Sequence, residues 1–311
     1  MVKQSIKSLV PLSLITMVYL LIMKATASKR GLSVRLHDSF IDVIKDDAII
    51  RVSRKHTVYL NDIFLSFDYY HKAVMPFRVN GFNIVDYSSP RYHDVAGFDL
   101  WPIMFPSFAE PVVTTSQYLE FAGLTAEMTV MDLGAYSGLT SILFSQSVGP
   151  HGTVLAIDAD PVNLQCIHRN IDRYNRYSSS FIKIIEGAVW NNSGGIKFSC
   201  EGNMGSSAST IVGSNRGRLI EVQTFTLSDI AKLNKLTRVD FIKCDIEGAE
   251  SVVFEDKEFF EAFRPRIIVE PHMIDGKLTS DKVIADLSRY GYKCRAIQQK
   301  GVSLPLIECV P

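Results

Sequence analysis

What this 311-residue chain lacks narrows its function before any motif is considered. Its charge has no excess sign, since 33 lysine and arginine residues balance 33 aspartate and glutamate residues. No global positive field gathers nucleic acid, so that class of partner is not expected. The cysteines Cys166, Cys200, Cys244, Cys294 and Cys309 are odd in number and widely spaced, with no Cys-x-x-Cys pair. Neither a zinc site nor a disulfide framework is expected from them, and a reducing compartment is the natural inference. Cys244 lies inside an apolar run and reads as a small buried hydrophobe. There is no internal repeat, no low-complexity tract and no Gly-x-Gly-x-x-Gly phosphate loop.

Long hydrophobic runs are also scarce. The one at Leu9 to Met23 is bracketed by Lys3 and Lys7 on one side and by Lys24, Lys29 and Arg30 on the other. It falls short of the ~20 residues of a comfortable membrane span, and Pro11 sits near its start. Membrane contact through residues 9–23 is expected, as a short signal anchor or a helix lying in the surface. Lys24 disfavours a cleaved signal ending near Ala25-Thr26-Ala27, and a helix packed on the domain is the remaining reading. The expected location is the cytoplasmic face of a membrane, or otherwise the cytoplasm.

With 47% of its residues apolar, the chain can bury one large core, or one core with a small appendage. Three regions follow: a hydrophobic segment over 1–30, an irregular aromatic-rich region over 31–110, and a regular domain over 111–311. The middle region has strand-like runs at Ala48 to Val52, Thr57 to Leu60 and Phe82 to Val85. From Ser88 to Pro111, four prolines interleave with Tyr92, Phe98, Trp101, Phe105 and Phe108. This predicts an ordered, non-helical cover that packs on the main domain or acts as a lid over a substrate mouth.

After Pro111 the pattern alternates. Helices are expected to about Leu124 and over 139–148, 161–175 and 280–290. Strands are expected at 129–133, 153–157, 182–186, 239–244, 266–269, 292–296 and 304–310, with a hairpin-like insertion between Gly194 and Thr224. The fold class is α/β, a doubly wound and mostly parallel sheet with helices on both faces, joined to a small irregular N-terminal α+β region.

In such a sheet a ligand binds beyond the carboxyl ends of the strands. The first strand ends in Thr129 to Gly138, TVMDLGAYSG, a strand, a glycine turn and a helix start. Asp132, Gly134, Ala135 and Gly138 are the candidate ligand-binding residues there. Asp132 precedes the turn, where it would repel a pyrophosphate but suit an ammonium or a ribose hydroxyl, so S-adenosylmethionine fits better than a dinucleotide. Asp158 ends the second strand as a ribose acceptor, and Asp160 caps the next helix. Gly187 and Ala188 follow the third strand, where they could flank an adenine.

The fourth strand carries the densest cluster, VDFIKCDIEGAE, with Asp240, Lys243, Asp245, Glu247 and Glu250. Crowded carboxylates at a dry mouth raise one another's pKa, which makes Asp245 and Glu247 candidate bases, while Glu250 also suits a helix start. Glu270 and His272 follow the fifth strand, and an imidazole is suited to take a proton near neutrality. A divalent metal between Asp245, Glu270 and His272 is conceivable, although the spacing does not compel one.

Together VMDLGAYSGLTSILF, VLAIDADP, VDFIKCDIEGAE and RPRIIVE resemble the FkbM family of class I S-adenosylmethionine-dependent methyltransferases, over roughly Glu110 to Met273. The resemblance implies a seven-stranded sheet closed by an antiparallel hairpin, with O-methylation of a sugar, glycan or related natural-product hydroxyl. A small-molecule or glycan acceptor is the expected partner, and the oligomeric state is open. Asp158 stands where the family often has glutamate. The rival readings are a non-catalytic cofactor-binding scaffold at the membrane, an N-methyltransferase on the same fold, and a nicotinamide oxidoreductase. The turn after the fourth strand does not resemble the Asn/Asp-Pro-Pro-Tyr type that suits a planar base nitrogen, and the glycine spacing disfavours the oxidoreductase.

Overall fold

The computed structural model describes residues 22–200, 207–208 and 218–311. The apolar run at 9–23 falls almost wholly outside them, so the expectation of membrane contact does too. Residues 22–28 are helical. Among the described residues no helix is long and apolar enough to cross a membrane.

Two compact units divide between Ser89 and Pro90. The first is more regular than its sequence suggested. Its sheet orders the strands Ser33–Leu36, Phe40–Lys45, Ala48–Ser53, Phe82–Tyr87 and Phe77–Val79. Ala48–Ser53 and Phe82–Tyr87 run parallel, and the other pairs are antiparallel. Asn80 and Gly81, both at positive φ, close the hairpin from Val79 to Phe82, as a two-residue turn of this kind requires. The run from Thr57 to Leu60 is not a strand. Arg54–Tyr59 is a 3-10 helix, Leu60 opens the next helix, and the Ser53 hydroxyl accepts from the Lys55 amide at the start. This local cap and the burial of Leu60 override the β-propensity of the run.

The second unit begins at Pro90, so the proline-aromatic segment belongs to it rather than to the region before. Within that segment Arg91–His93 and Ile103–Phe105 pair antiparallel. It then packs on a helix: both ends of the Asn170 amide bond the Met104 backbone, and the Arg173 guanidinium lies 5.3 Å from the Trp101 ring centre.

The sheet of this unit comprises β1 (Thr129–Leu133), β2 (Thr153–Asp158), β3 (Ile182–Glu186), β4 (Phe241–Cys244), β5 (Arg266–Val269), β6 (Lys293–Gln298) and β7 (Pro305–Val310), in the order β3-β2-β1-β4-β5-β7-β6. β3 to β5 are parallel across the sheet, and β7 returns antiparallel against both β5 and β6. β1 is buried at all five positions, as a strand covered by helices on both faces must be. The helices include α1 (Val112–Ala122), α2 (Leu139–Val148), α3 (Pro161–Tyr177), α4 (Leu227–Leu233), α5 (Glu250–Val253), α6 (Lys257–Ala262) and α7 (Ser280–Arg289). Asp160 caps α3 by accepting from the Val162 and Asn163 amides, with Pro161 at the first helical position. The insertion is a hairpin of Ile196–Cys200 with Arg218–Val222, joined by Ser207–Ala208 in a sheet of its own.

The cysteine expectation needs correction. Cys294 and Cys309 face each other directly across β6 and β7 and form a disulfide. Strand register pairs them, and a separation of 15 positions in sequence gave no hint of it. The reducing-compartment inference, which rested on the lack of a pairing, loses that support.

Chain order reverses between β1 and β4: β2 and β3 build outward on one side of β1, and the chain then crosses to its other side. This makes the gap above β1 and β4 the topological switch point, where the loops part and leave a crevice. The loops come very close there. A Cβ on Gly134 would sit 1.8 Å from the Asp245 carbonyl oxygen, and the Gly134 φ of 76° is one that side chains rarely adopt. We predict that Gly134→Ala separates the two loops: thermal denaturation should show a lower midpoint than wild type, and cleft-ligand binding should be lost even in the folded fraction.

Candidate active site

A cleft partly open to solvent lies at this switch point. Gly134 and Tyr136 from the loop after β1, Asp158 and Asn163 after β2, Gly187, Ala188 and Trp190 after β3, and Asp245 and Glu247 after β4 line it. The lining carries the carboxylates Glu110, Asp158, Asp245 and Glu247 and no lysine, arginine or histidine among the described residues. Such a wall repels a pyrophosphate and favours a cation.

Asp132 does not reach the cleft. Its side chain is fully buried, and one carboxylate oxygen accepts from the Thr140 and Ser141 hydroxyls, each at 2.6 Å. The other lies 3.5 Å from the Lys243 ammonium and has no hydrogen bond. Asp132 therefore ties the start of α2 to β4 and lies outside the cleft lining. Ala135 and Gly138 are also absent from the lining. Ala135 is buried with its amide on the Ile157 carbonyl, and Gly138 turns beneath α3, where a Cβ would meet Ile171 at 3.3 Å.

Lys243 is the centre of this support. Its side chain is 2% exposed; Nζ donates to the Gly134 carbonyl at 2.7 Å and lies 3.7 Å from the Asp245 carboxylate. Burial works against its charge, but Asp132, Asp245, Glu110 and Glu270 outweigh it and raise the pKa. The sequence signal was a lysine inside an otherwise apolar parallel strand.

Asp158 borders the cleft, as expected of a ribose acceptor. It accepts from the Tyr136 and Asp160 amides at 2.9 Å and from the Asn163 amide group. Burial pushes its carboxyl up to about 6 against those hydrogen bonds. Tyr136, at φ 53°, ties this loop back to the preceding segment through its hydroxyl, which donates to the Phe108 carbonyl at 2.8 Å. Of the Ser88 to Pro111 segment, only Glu110 borders the cleft. The Ser137 hydroxyl donates to its carboxylate, and burial pushes that group up to about 8.

Beside the cleft, above β4 and β5, His272 meets three carboxylates. Its Nδ1 bonds the fully buried Glu250 at 2.8 Å, while Nε2 faces Glu247 at 3.4 Å and Asp245 at 3.6 Å. Glu247 is held at φ 51°, an uncommon conformation for a side-chain-bearing residue. Burial opposes charge on the imidazole, but Glu247 and Glu250 hold its pKa well above the ordinary value of 6.5. Burial raises Glu247 in turn. The candidate donors for a divalent ion are thus Asp245, Glu247 and His272, whose ligand atoms lie within 4.8 Å of one another. Glu270 is not among them: it accepts from Tyr118 at 2.5 Å and from Gln299 at 3.2 Å, in a network behind the site. Sequence reasoning did not foresee Glu110, Tyr136, Asn163 and Trp190 at the cleft, or Glu250 as the partner of the imidazole.

Comparison with known proteins supplies the family. The profile for the methyltransferase FkbM domain matches residues 132–294, more than half of the chain. The chain belongs to the FkbM methyltransferase family. It is an S-adenosylmethionine-dependent methyltransferase with a Rossmann-like fold. A search of curated proteins gives no match. Among solved structures, it is similar to a precorrin-6Y C5,15-methyltransferase from Geobacter metallireducens (16% identity over 63% of this chain and 84% of that one, TM-score 0.38). It is similar to a methyltransferase FkbM from Methylobacillus flagellatus (17% identity, 62% of this chain and 50% of that one, TM-score 0.38). It is also similar to an O-methyltransferase from Bacillus cereus in complex with SAH (13% identity, 65% and 81%, TM-score 0.37).

The residues present fit the cofactor. The FkbM methyltransferase offers a cation an anionic wall, a ribose a buried carboxylate at Asp158, and an adenine the apolar faces of Val189 and Trp190 beside Gly187.

Two predictions concern the support. Removing one partner of a buried ion pair costs about 3–5 kcal/mol, so Lys243→Met should lower the urea-unfolding free energy by that order, and Asp132→Asn added to it should recover part of the loss. Glu110 has a folded-state value of about 8 against an ordinary 4.5, so the stability its protonated form contributes is complete below about 4.5 and is lost as pH rises through about 8. Thermal midpoints of Glu110→Gln should therefore fall less steeply across that window than those of wild type.

Proposed function

We propose that the enzyme methylates a hydroxyl group of a sugar, glycan or related natural-product acceptor. The observation that carries this reading is the carboxylate and imidazole cluster of Asp245, Glu247 and His272 at the edge of the cofactor cleft. Asp245 and Glu247 belong to both, so an acceptor resting on them would lie next to the cofactor. A hydroxyl is a weak acid that becomes a good nucleophile only as its proton leaves, and a cluster of basic groups gives that proton a destination. Carboxylates also make good partners for a polyhydroxyl surface, since each accepts several hydrogen bonds.

When bound, S-adenosylmethionine supplies a methyl carbon on a sulfonium, whose positive charge disappears on transfer. The residues of this chain do the rest. Asp158 would hold the ribose, with Gly187 and Ala188 against the base, and the loop from Gly134 would face the amino-acid end. Glu250 holds His272 in orientation through the Nδ1 contact. With carboxylates on both nitrogens the imidazole keeps its proton at neutral pH, so the basic role passes to a carboxylate. Glu247, raised by burial and facing both the cleft and Nε2, is the group that takes the hydroxyl proton; His272 then stabilises the arrangement as a positively charged neighbour. Alignment of the acceptor against the methyl carbon supplies the remaining catalysis.

The test is to incubate the purified full chain with methyl-labelled S-adenosylmethionine and separate panels of saccharides, polyketide-type alcohols, nucleic acid and protein. Label in a base-stable ether on a hydroxyl acceptor supports the reading; label on a nucleic-acid or protein nitrogen contradicts it. With such an acceptor, Glu247→Gln should lower kcat by at least about 100-fold, in the range of general base catalysis, and leave S-adenosylhomocysteine affinity within about twofold.

A further inference from the structure

Glu110 is a buried carboxylate that makes no ion pair in the support network of the site. It is 8% exposed, borders the cleft, and takes its hydrogen bond from the Ser137 hydroxyl in the loop after β1. The other acids near it are committed. Asp132 and Asp245 share Lys243, whose ammonium is anchored on the Gly134 carbonyl. Among the described residues no basic side chain lies within ion-pair distance of Glu110. A desolvated carboxyl group with no ion pair, facing a ligand cleft, ionises only at a cost in the empty protein, and a cation that arrives with the ligand offsets that cost.

The order of the strands fixes which cation. Asp158 and Gly187 follow β2 and β3, and they claim the nucleoside end of the cofactor. Glu110 stands elsewhere: it takes the Ser137 hydroxyl in the loop after β1 and lies close enough to Lys243 and Asp245 at the end of β4 to feel their charges. An extended cofactor with its ribose at Asp158 brings its amino-acid end there. We propose that Glu110 is the counter-ion of the cofactor's α-ammonium, making it a specificity residue that selects ligands carrying the amino-acid end. This rests on the cofactor assignment of the cleft and extends it to a residue that lies upstream of the glycine turn. The burial that raises the Glu110 carboxyl in the empty cleft adds a consequence: the group must ionise as the ammonium arrives, so binding near neutral pH releases a proton.

The experiment is isothermal titration of the purified full chain with two probes. S-adenosylhomocysteine has the ammonium but no sulfonium, and 5′-methylthioadenosine has the same nucleoside but no amino-acid end. In Glu110→Gln, homocysteine-ligand affinity should fall about 10- to 100-fold, the worth of a charge-assisted hydrogen bond, while thioadenosine affinity stays within about twofold. Repeating the wild-type titration in buffers of different ionisation enthalpy should show proton release with S-adenosylhomocysteine, and the variant should show none. Should Glu110→Gln fail to fold, Ser137→Ala, which removes the hydrogen bond orienting the carboxylate, should show the same selective loss at smaller size. Equal loss of both probes in a folded variant, or no loss of either, would overturn the proposal. If wild type bound neither probe, the cofactor assignment of the cleft would fall with it, whereas wild-type binding that Glu110→Gln leaves intact removes the Glu110 role alone.

Discussion

The structure turns on one buried ammonium. Lys243 projects from β4 toward the loop after β1, and through the Gly134 carbonyl, Asp132 and Asp245 it fastens the ends of the two strands between which chain order reverses. A parallel sheet leaves its loops free to diverge at such a point, and the crevice that results is only as well defined as the contacts across it. An ion held in a dry environment by several acceptors is a stiff contact, because moving any partner leaves a charge without compensation. That stiffness explains why Gly134 approaches Asp245 so closely that no side chain fits between them.

The same ammonium divides the acids of the site into classes. Asp132 and Asp245 pair with it, Asp158 is filled largely by amides, Glu247 and Glu250 surround an imidazolium, and Glu110 has a single hydroxyl donor and no ion pair among the described residues. A site that looks uniformly acidic in sequence is thus graded in space. The nucleoside side is satisfied by backbone and amide donors, the acceptor side keeps proton-exchanging groups, and Glu110 adds one carboxyl group without an ion pair. This grading suits a positively charged methyl donor whose charge vanishes on reaction, since the wall that attracts the donor has less hold on the neutral product.

Much of this was legible from sequence where periodicity was strong. The helices at 139–148 and 161–177 and the strands of the sheet follow from apolar runs and alternation, and the resemblance supplied the closing hairpin. The acidic strand ends marked Asp158, Asp245 and Glu247 at the cleft. Asp132 lies outside the cleft lining for a physical reason: a carboxylate before a glycine turn looks the same whether it faces a ligand or the hydroxyls of the next helix, and Thr140 and Ser141, in the first turn of α2, were the overlooked sign. Short helices such as Leu227–Leu233 and Lys257–Ala262 are held by caps and tertiary packing, which a periodic pattern does not register. The pairing of Cys294 with Cys309, the turn of Glu250 toward His272 and the arrival of Glu110 at the cleft all depend on contacts between distant segments. By contrast, Asn80-Gly81 was a hairpin signal in plain view.

The most direct test of the central claim, that the anionic cleft above β1 and β4 receives the cofactor, is the structure of the protein complexed with S-adenosylhomocysteine. The account predicts ribose hydroxyls at Asp158, the base beside Ala188 and Trp190, and the amino-acid end between the Gly134 loop and Glu110, with Lys243 still bonded to the Gly134 carbonyl. A ligand found outside this cleft, or one seated in it only after Lys243 has left that carbonyl, would contradict it.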